Sequence, residues 1–189
     1  MISHKRHQQP PRHRRKGWVI TVVAASMLAG CAVAQVIPPP DCATGGSSII
    51  GAQSVMSATQ IPCITSLPDG WSVDEVHINQ DRTVLDFDSD RAGEGAASMR
   101  FESSCDTSAA VSVPSDQPVA DRFDEIQQVE PSFKANRYYV FDGGCVSWVF
   151  RFDRGVSATE SVAIGEILVL VSREEVNDGL RLSFIDEDL

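Results

Sequence analysis

The stretch Arg137 to Asp153, RYYVFDGGCVSWVFRFD, decides the fold. Asp142-Gly143-Gly144 supplies the positive backbone dihedrals that a tight hairpin turn needs. Beyond the turn, Val146, Trp148, Phe150 and Phe152 recur at every second residue. Side chains of a strand alternate between its two faces, so these four share one face and Ser147 and Arg151 take the other. Tyr139 and Phe141 meet the same apolar face from before the turn. The stretch therefore reads as a hairpin at the centre of a sheet, with Trp148 in the core.

Upstream, Pro68-Asp69-Gly70 marks a turn. Val76 and Ile78 then alternate with His77 and Asn79, and Leu85 and Phe87 with Asp86 and Asp88, across a short link at Asp81-Arg82. Two alternating runs joined this way read as a β-hairpin. Ala97 to Ser103 alternates Met99 and Phe101 with Arg100 and Glu102, a third strand. Asp106 to Pro118 reads as loop. Val119, Phe123 and Ile126 fall at helical spacing before Pro131, and the residues leave a helical turn and an irregular strand equally open.

Downstream, Ser157 is placed to cap a helix of which Val162 to Val171 is the buried part, apolar almost all round. A buried strand over Ile167 to Val171 is the competing reading. Ser172-x-x-Glu175 has the form of a capping box, Gly179 can stop the turn it opens, and Leu180 to Ile185 reads as a last strand. Strands followed by a helix give the expected class: α+β, an antiparallel sheet of about five to six strands with a C-terminal helix packed on one face.

The N-terminus sets the topology. Lys5, Arg6, Arg12, Arg14, Arg15 and Lys16 precede an apolar run from Gly17, and no acid accompanies them. A basic flank before a short apolar run is the pattern of an export signal, with the rest of the chain translocated. The expected organisation is a basic segment 1–16, a signal or anchor 17–31, a tether 32–48 rich in proline, glycine and serine, and one extracytoplasmic domain over 49–189, its ordered part starting near Cys63. All 26 acidic residues lie after residue 40, with 10 of the 16 Lys and Arg, so that part has a formal charge of −16. Such a field repels nucleic acid and anionic headgroups and attracts cations and basic proteins. It also serves simply to keep a domain soluble.

The run closes on Leu28-Ala29-Gly30-Cys31, which resembles the lipobox of bacterial lipoproteins. The resemblance implies cleavage before Cys31 and a lipid on its thiol. Two other readings stand beside it. Gly17 to Ile37 is long enough to span a bilayer, for which about 20 residues suffice, with Pro38-Pro39-Pro40 ending the helix. Ala32-Val33-Ala34 offers an ordinary signal-peptidase site. Further along, Cys105-Asp106, Val113-Pro114-Ser115-Asp116 and Tyr138-Tyr139-x-Phe141-x-Gly143-Gly144-Cys145-Val146 are similar to uncharacterised envelope proteins of actinobacteria, over about residues 60–180. That likeness implies an envelope location and brings no known activity.

Four further cysteines, Cys42, Cys63, Cys105 and Cys145, read as two disulfides in an oxidising compartment. Zinc is a poor alternative, with no C-x-x-C spacing and His77 the one histidine after the tether. Of three connectivities, Cys42–Cys63 with Cys105–Cys145 closes the shorter loops at lower entropic cost.

No cofactor or catalytic set is expected. Asp86-x-Asp88-x-Asp90 lacks the glycine and glutamate of a helix-loop-helix calcium loop, where Arg91 and Ala97 stand, and reads as a wet strand face. His77 reads as a solvent-facing strand residue, Gly143-Gly144 as a turn and not a phosphate loop, and Tyr138, Tyr139 and Trp148 as core before ligand platform. The functional expectation is a membrane-anchored extracytoplasmic domain, non-enzymatic, with a protein-interaction or envelope accessory role. The alternatives are an extracytoplasmic small-ligand or calcium-binding module and, further off, a hydrolase using scattered acids.

Overall fold

The computed structural model describes residues 54–178. Cys31, Cys42, the anchor, the tether, Gly179 and the stretch from Leu180 to Ile185 lie outside the described residues. In chain order the elements are β1 (Gln60–Ile64), β2 (Trp71–Ile78), β3 (Arg82–Ser89), β4 (Gly93–Glu102), β5 (Val111–Val113), β6 (Asp121–Gln128), β7 (Ser132–Phe141), β8 (Gly144–Arg154), helix α1 (Thr159–Gly165) and β9 (Leu168–Ser172). Strands β2-β3-β4-β8-β7-β6-β5 form one seven-stranded sheet, and β1 and β9 form a separate two-stranded ribbon. Every pairing is antiparallel.

The hairpin expected at Arg137 to Asp153 is β7–β8, in register Tyr139 opposite Val146 and Phe141 opposite Gly144. Gly143 has φ +69°, in the left-handed region that favours glycine. A Cβ there would also strike the Ser57 carbonyl. Residues 57–59 clasp this turn: Ser57 Oγ donates to the Gly143 carbonyl at 2.7 Å, and Thr59 N–H and Oγ1 donate to the Asp142 carbonyl at 3.0 and 2.9 Å.

β8 lies at the middle of the sheet, between β4 and β7. Val146, Trp148, Phe150 and Phe152 are buried, with Tyr139 and Phe141 beside them, as the two-residue period predicts. Trp148 packs against Phe87 at 5.5 Å and stacks on Phe150 at 5.9 Å between ring centroids. Leu85, Phe87, Met99 and Phe101 of β3 and β4 extend the same apolar face, which the ribbon residues Ile61, Ile64, Leu168 and Leu170, and Ile164 of α1, complete in one core.

The dominance of antiparallel β is as expected, but the strand count is higher, at nine among the described residues. The helix is also much shorter than Val162 to Val171 suggests. It ends at Gly165, and Leu168–Ser172 is a strand, the competing reading for that run. Two causes act together. The guanidinium of Arg137 lies against Gly165 where a Cβ would sit, and the β-branched alternation from Leu168 finds a partner in β1, with Ile61 opposite Val171 and Ile64 opposite Leu168. The N-cap position is Ala158 and not Ser157, although Ser157 Oγ still accepts the Thr159 N–H at 3.3 Å. Ser172 Oγ accepts the Glu175 N–H at 3.1 Å, the hydroxyl half of the expected capping box, and residues 173–178 are helical. The segment containing Phe123 and Ile126 is the strand β6. The core starts before Cys63, since Val55, Ala58 and Ile61 are already buried.

Candidate functional site

Cys105 and Cys145 form a disulfide with Cα atoms 5.9 Å apart, which ties the loop after β4 to the start of β8. Cys63 is disulfide-bonded and buried; Cys42, its expected partner, lies outside the described residues, as does Cys31. His77 sits on the outer face of edge strand β2, half exposed, with Nε2 3.0 Å from Glu75 Oε2. Asp88 Oδ1 accepts the Gly95 N–H at 2.7 Å, closing the β3–β4 turn. No group of three potential metal ligands assembles among the described residues. Tyr138 faces away from Tyr139 and Trp148, so the three aromatics do not make one platform; Tyr139 and Trp148 are in the core.

Sequence parity puts Arg137 on the core face, beside Tyr139 and Ala135, and the side chain is buried there. Its Cζ lies 5.7 Å from the centroid of the Phe150 ring, and its Nε donates to Asp124 Oδ1 at 3.3 Å. Asp124 is opposite Arg137 in the β6–β7 register. Arg122 holds Asp124 through two bonds, Nε to Oδ1 at 3.1 Å and Nη2 to Oδ2 at 2.7 Å, and reaches Asp116 with Nη1 at 3.1 Å. Tyr139 donates its hydroxyl to Asp116 Oδ1 at 3.0 Å. The hydrogen bond to Asp124 raises the Arg122 pKa above its ordinary value. Burial pushes the Tyr139 phenol up to about 12, against the opposing pull of Arg137, with the Asp116 charge adding to the rise. This network was not legible as a set: Asp116 sits in a loop and Arg122 and Asp124 in a segment of ambiguous period, so only the strand register reveals that they meet Arg137 and Tyr139.

Next to the network, β6, β7 and α1 enclose a groove of about 260 Å³. Phe133, Ala135 and Phe150 line its floor, Ile126 and Val162 its lips, and Arg137 one end. Ile126 and Val162 are 65% and 48% exposed, so the groove opens to solvent between two aliphatic side chains. β5 covers only Arg122 to Asp124, so Glu125 to Gln128 of β6 has no strand partner on its outer edge among the described residues. Backbone donors and acceptors thus lie free beside an apolar groove. A second cleft, polar and about 340 Å³, lies on the opposite face of the sheet around Ser147.

No protein-family model matches the chain, and no curated protein does. Among solved structures, one from Bacteroides thetaiotaomicron VPI-5482 aligns over 62% of this chain and 46% of its own length, at 15% identity and a TM-score of 0.34. The alignment spans less than half of that protein. No helix among the described residues is long and apolar enough to cross a membrane.

Proposed function

We propose that this chain is a membrane-anchored extracytoplasmic binding domain that docks a protein partner, in an accessory role at the cell envelope. Lipid on Cys31, or failing that the apolar segment itself, holds it to the membrane. The basic flank, the apolar run and Leu-Ala-Gly-Cys support the anchor, and the Cys105–Cys145 disulfide fits an oxidising compartment.

The observation that carries the binding role is the groove between Ile126 and Val162 beside the unpaired edge of β6. An extended segment that paired with Glu125–Gln128 would gain main-chain hydrogen bonds and set alternate side chains into the groove. Its chemistry is set on both counts: apolar at the inserted positions, and basic in the flanks, to suit a formal charge of −16 after residue 40.

The test compares the full chain with the double variant Ile126→Asp, Val162→Asp, both extracted from membranes in detergent. Both side chains are exposed, so melting temperatures should agree. The same extracted proteins should accompany the wild type and be lost from the variant. Equal recovery with both chains would remove the groove as the docking site.

A further inference from the structure

The docking groove carries a recognition group that a purely aliphatic insert would leave unused. Arg137 is 8% exposed and lines one end of the groove. Its Nε donates to Asp124, but Nη1 and Nη2 have no hydrogen-bond partner among the described residues. The side-chain donors there that are both sealed from solvent and unpartnered are Trp71 Nε1 and Trp148 Nε1, so the Arg137 amino groups are reached from outside. Nη1 stands beside Gly165, at the end of the helix that walls the groove.

Asp124 lines the same end. The charges of the network balance there, Arg122 and Arg137 against Asp116 and Asp124. A carboxylate brought to Arg137 would therefore meet Asp124 uncompensated, and an ammonium brought to Asp124 would meet Arg137. The group that suits both is a neutral hydroxyl, which accepts from the guanidinium and donates to the carboxylate. The network already holds one such trio inside the domain. Tyr139 donates to Asp116 at 3.0 Å, and Arg122 Nη1 donates to the same oxygen at 3.1 Å. Arg137 and Asp124 form a second arginine–aspartate pair, this one at the groove and without a tyrosine.

The body of the groove suits an aromatic ring. Ala135 stands between Ile126 and Phe150 of the neighbouring strands, and its single methyl leaves the depth. The Phe133 and Phe150 rings of the floor have centroids 6.5 Å apart, and Phe150 stacks on Trp148 behind it. The core's aromatic cluster thus comes to the surface here, and a further ring would extend it. Along the strand Ala135 and Arg137 are two residues apart, roughly 7 Å, about the reach of a tyrosine from Cβ to hydroxyl. We propose that the residue the partner inserts is a tyrosine. Its ring lies over Ala135 against Phe133 and Phe150, and its hydroxyl accepts from Arg137 and donates to Asp124. The inference rests on the docking reading and names its anchor, a residue type that often carries the energy of an interface.

The experiment titrates the ¹⁵N-labelled full chain in detergent micelles with four capped peptides. They share lysine ends and flanking threonines and differ only in a central tyrosine, phenylalanine, leucine or glutamate. The tyrosine peptide should shift the amides of Ile126, Ala135 and Phe150 saturably. The phenylalanine peptide should bind about tenfold more weakly, as expected for a lost hydrogen bond to a charged group, and the leucine peptide more weakly still. In Arg137→Met the tyrosine and phenylalanine peptides should bind alike; the ratio is read, so a general loss of stability does not mimic the result. If that variant does not fold, the ranking on the wild type decides alone. Equal binding of the phenylalanine or leucine peptide would overturn the tyrosine anchor while leaving the groove a docking site. Tightest binding of the glutamate peptide would make the end a carboxylate site and also overturn it. No shift with any peptide up to its solubility limit would overturn the anchor too, whereas the docking reading falls only if the groove variant recovers the same extracted proteins.

Discussion

Trp148→Ala tests the core at the middle of the sheet. Trp148 is fully buried, packs between Phe87 and Phe150, and shares its face with Val146 and Phe152 at the middle of the seven-stranded sheet. Removing a buried tryptophan side chain leaves a cavity that the neighbouring rings fill only in part, at a cost of roughly 3–5 kcal/mol. Domain stability is about 5–15 kcal/mol, so the change takes a large share of it. For a domain of this size the melting temperature should fall by roughly 10–20 °C. The indole Nε1 has no hydrogen-bond partner among the described residues, which adds a second arm. Trp148→Phe keeps one aromatic ring and loses the rest of the indole with its unpaired donor, a smaller cavity than Trp148→Ala leaves, so it should cost less. Urea denaturation followed by far-ultraviolet circular dichroism measures both, with Val149→Ala as a neighbouring comparison. If Trp148→Ala melted within 2 °C of the wild type, as an order-of-magnitude threshold, the core assignment would be refuted. If Trp148→Phe cost as much as Trp148→Ala, a single ring would not be holding the packing against Phe87 and Phe150.

Three further outcomes follow from named contacts. The Cys105–Cys145 bridge closes a separation of 40 residues, so Cys105→Ser with Cys145→Ser should lower stability by about 4 kcal/mol on the chain-entropy account; equilibrium denaturation of the double variant without reductant reads this out. Gly143→Ala meets both a positive φ and the Ser57 carbonyl, and should destabilise by at least about 1 kcal/mol, whereas Gly155→Ala, with open space for its Cβ, bears only the cost of its own positive φ. Burial raises the Tyr139 phenol to about 12, above the ordinary value near 10. The folded state thus retains a proton that the unfolded chain gives up, so this contribution is complete below pH 10 and disappears as the pH climbs towards 12. Tyr139→Phe should remove that part of the alkaline decline, and ultraviolet phenolate titration should show Tyr139 ionising late.

The hairpin at Arg137 to Asp153 was legible because a strict two-residue period on one side of a Gly-Gly turn admits one arrangement. The strands around Val76, Leu85 and Met99 were legible for the same reason. β1 was not: Gln60–Ile64 is five residues long and contains Pro62, and its reason for existing is a partner more than 100 residues away. The run from Val162 to Val171 is apolar on every face, so its period does not separate helix from strand; Arg137 against Gly165 and the availability of β1 decide it. Val111–Val113 is too short to show any period. The site shared this fate. Arg137 and Tyr139 could be assigned a face from sequence, but their meeting with Asp116, Arg122 and Asp124 depends on the pairing of β6 with β7, and β6 was a segment whose period favoured neither structure. Ser147 was correctly placed opposite the core face, yet its burial arises from neighbouring strands and was not visible in the alternation.

The central claim is that the groove at Ile126 and Val162 receives a protein partner on the outer side of the membrane. Site-specific photo-crosslinking in intact cells tests it most directly, with benzoylphenylalanine placed at Val162 of the full-length chain and, in a matched strain, at His77 on edge strand β2. The account predicts a discrete higher-mass adduct from position 162 that position 77 does not give and that Ile126→Asp abolishes. The same adduct from both positions, or none from position 162, would contradict it.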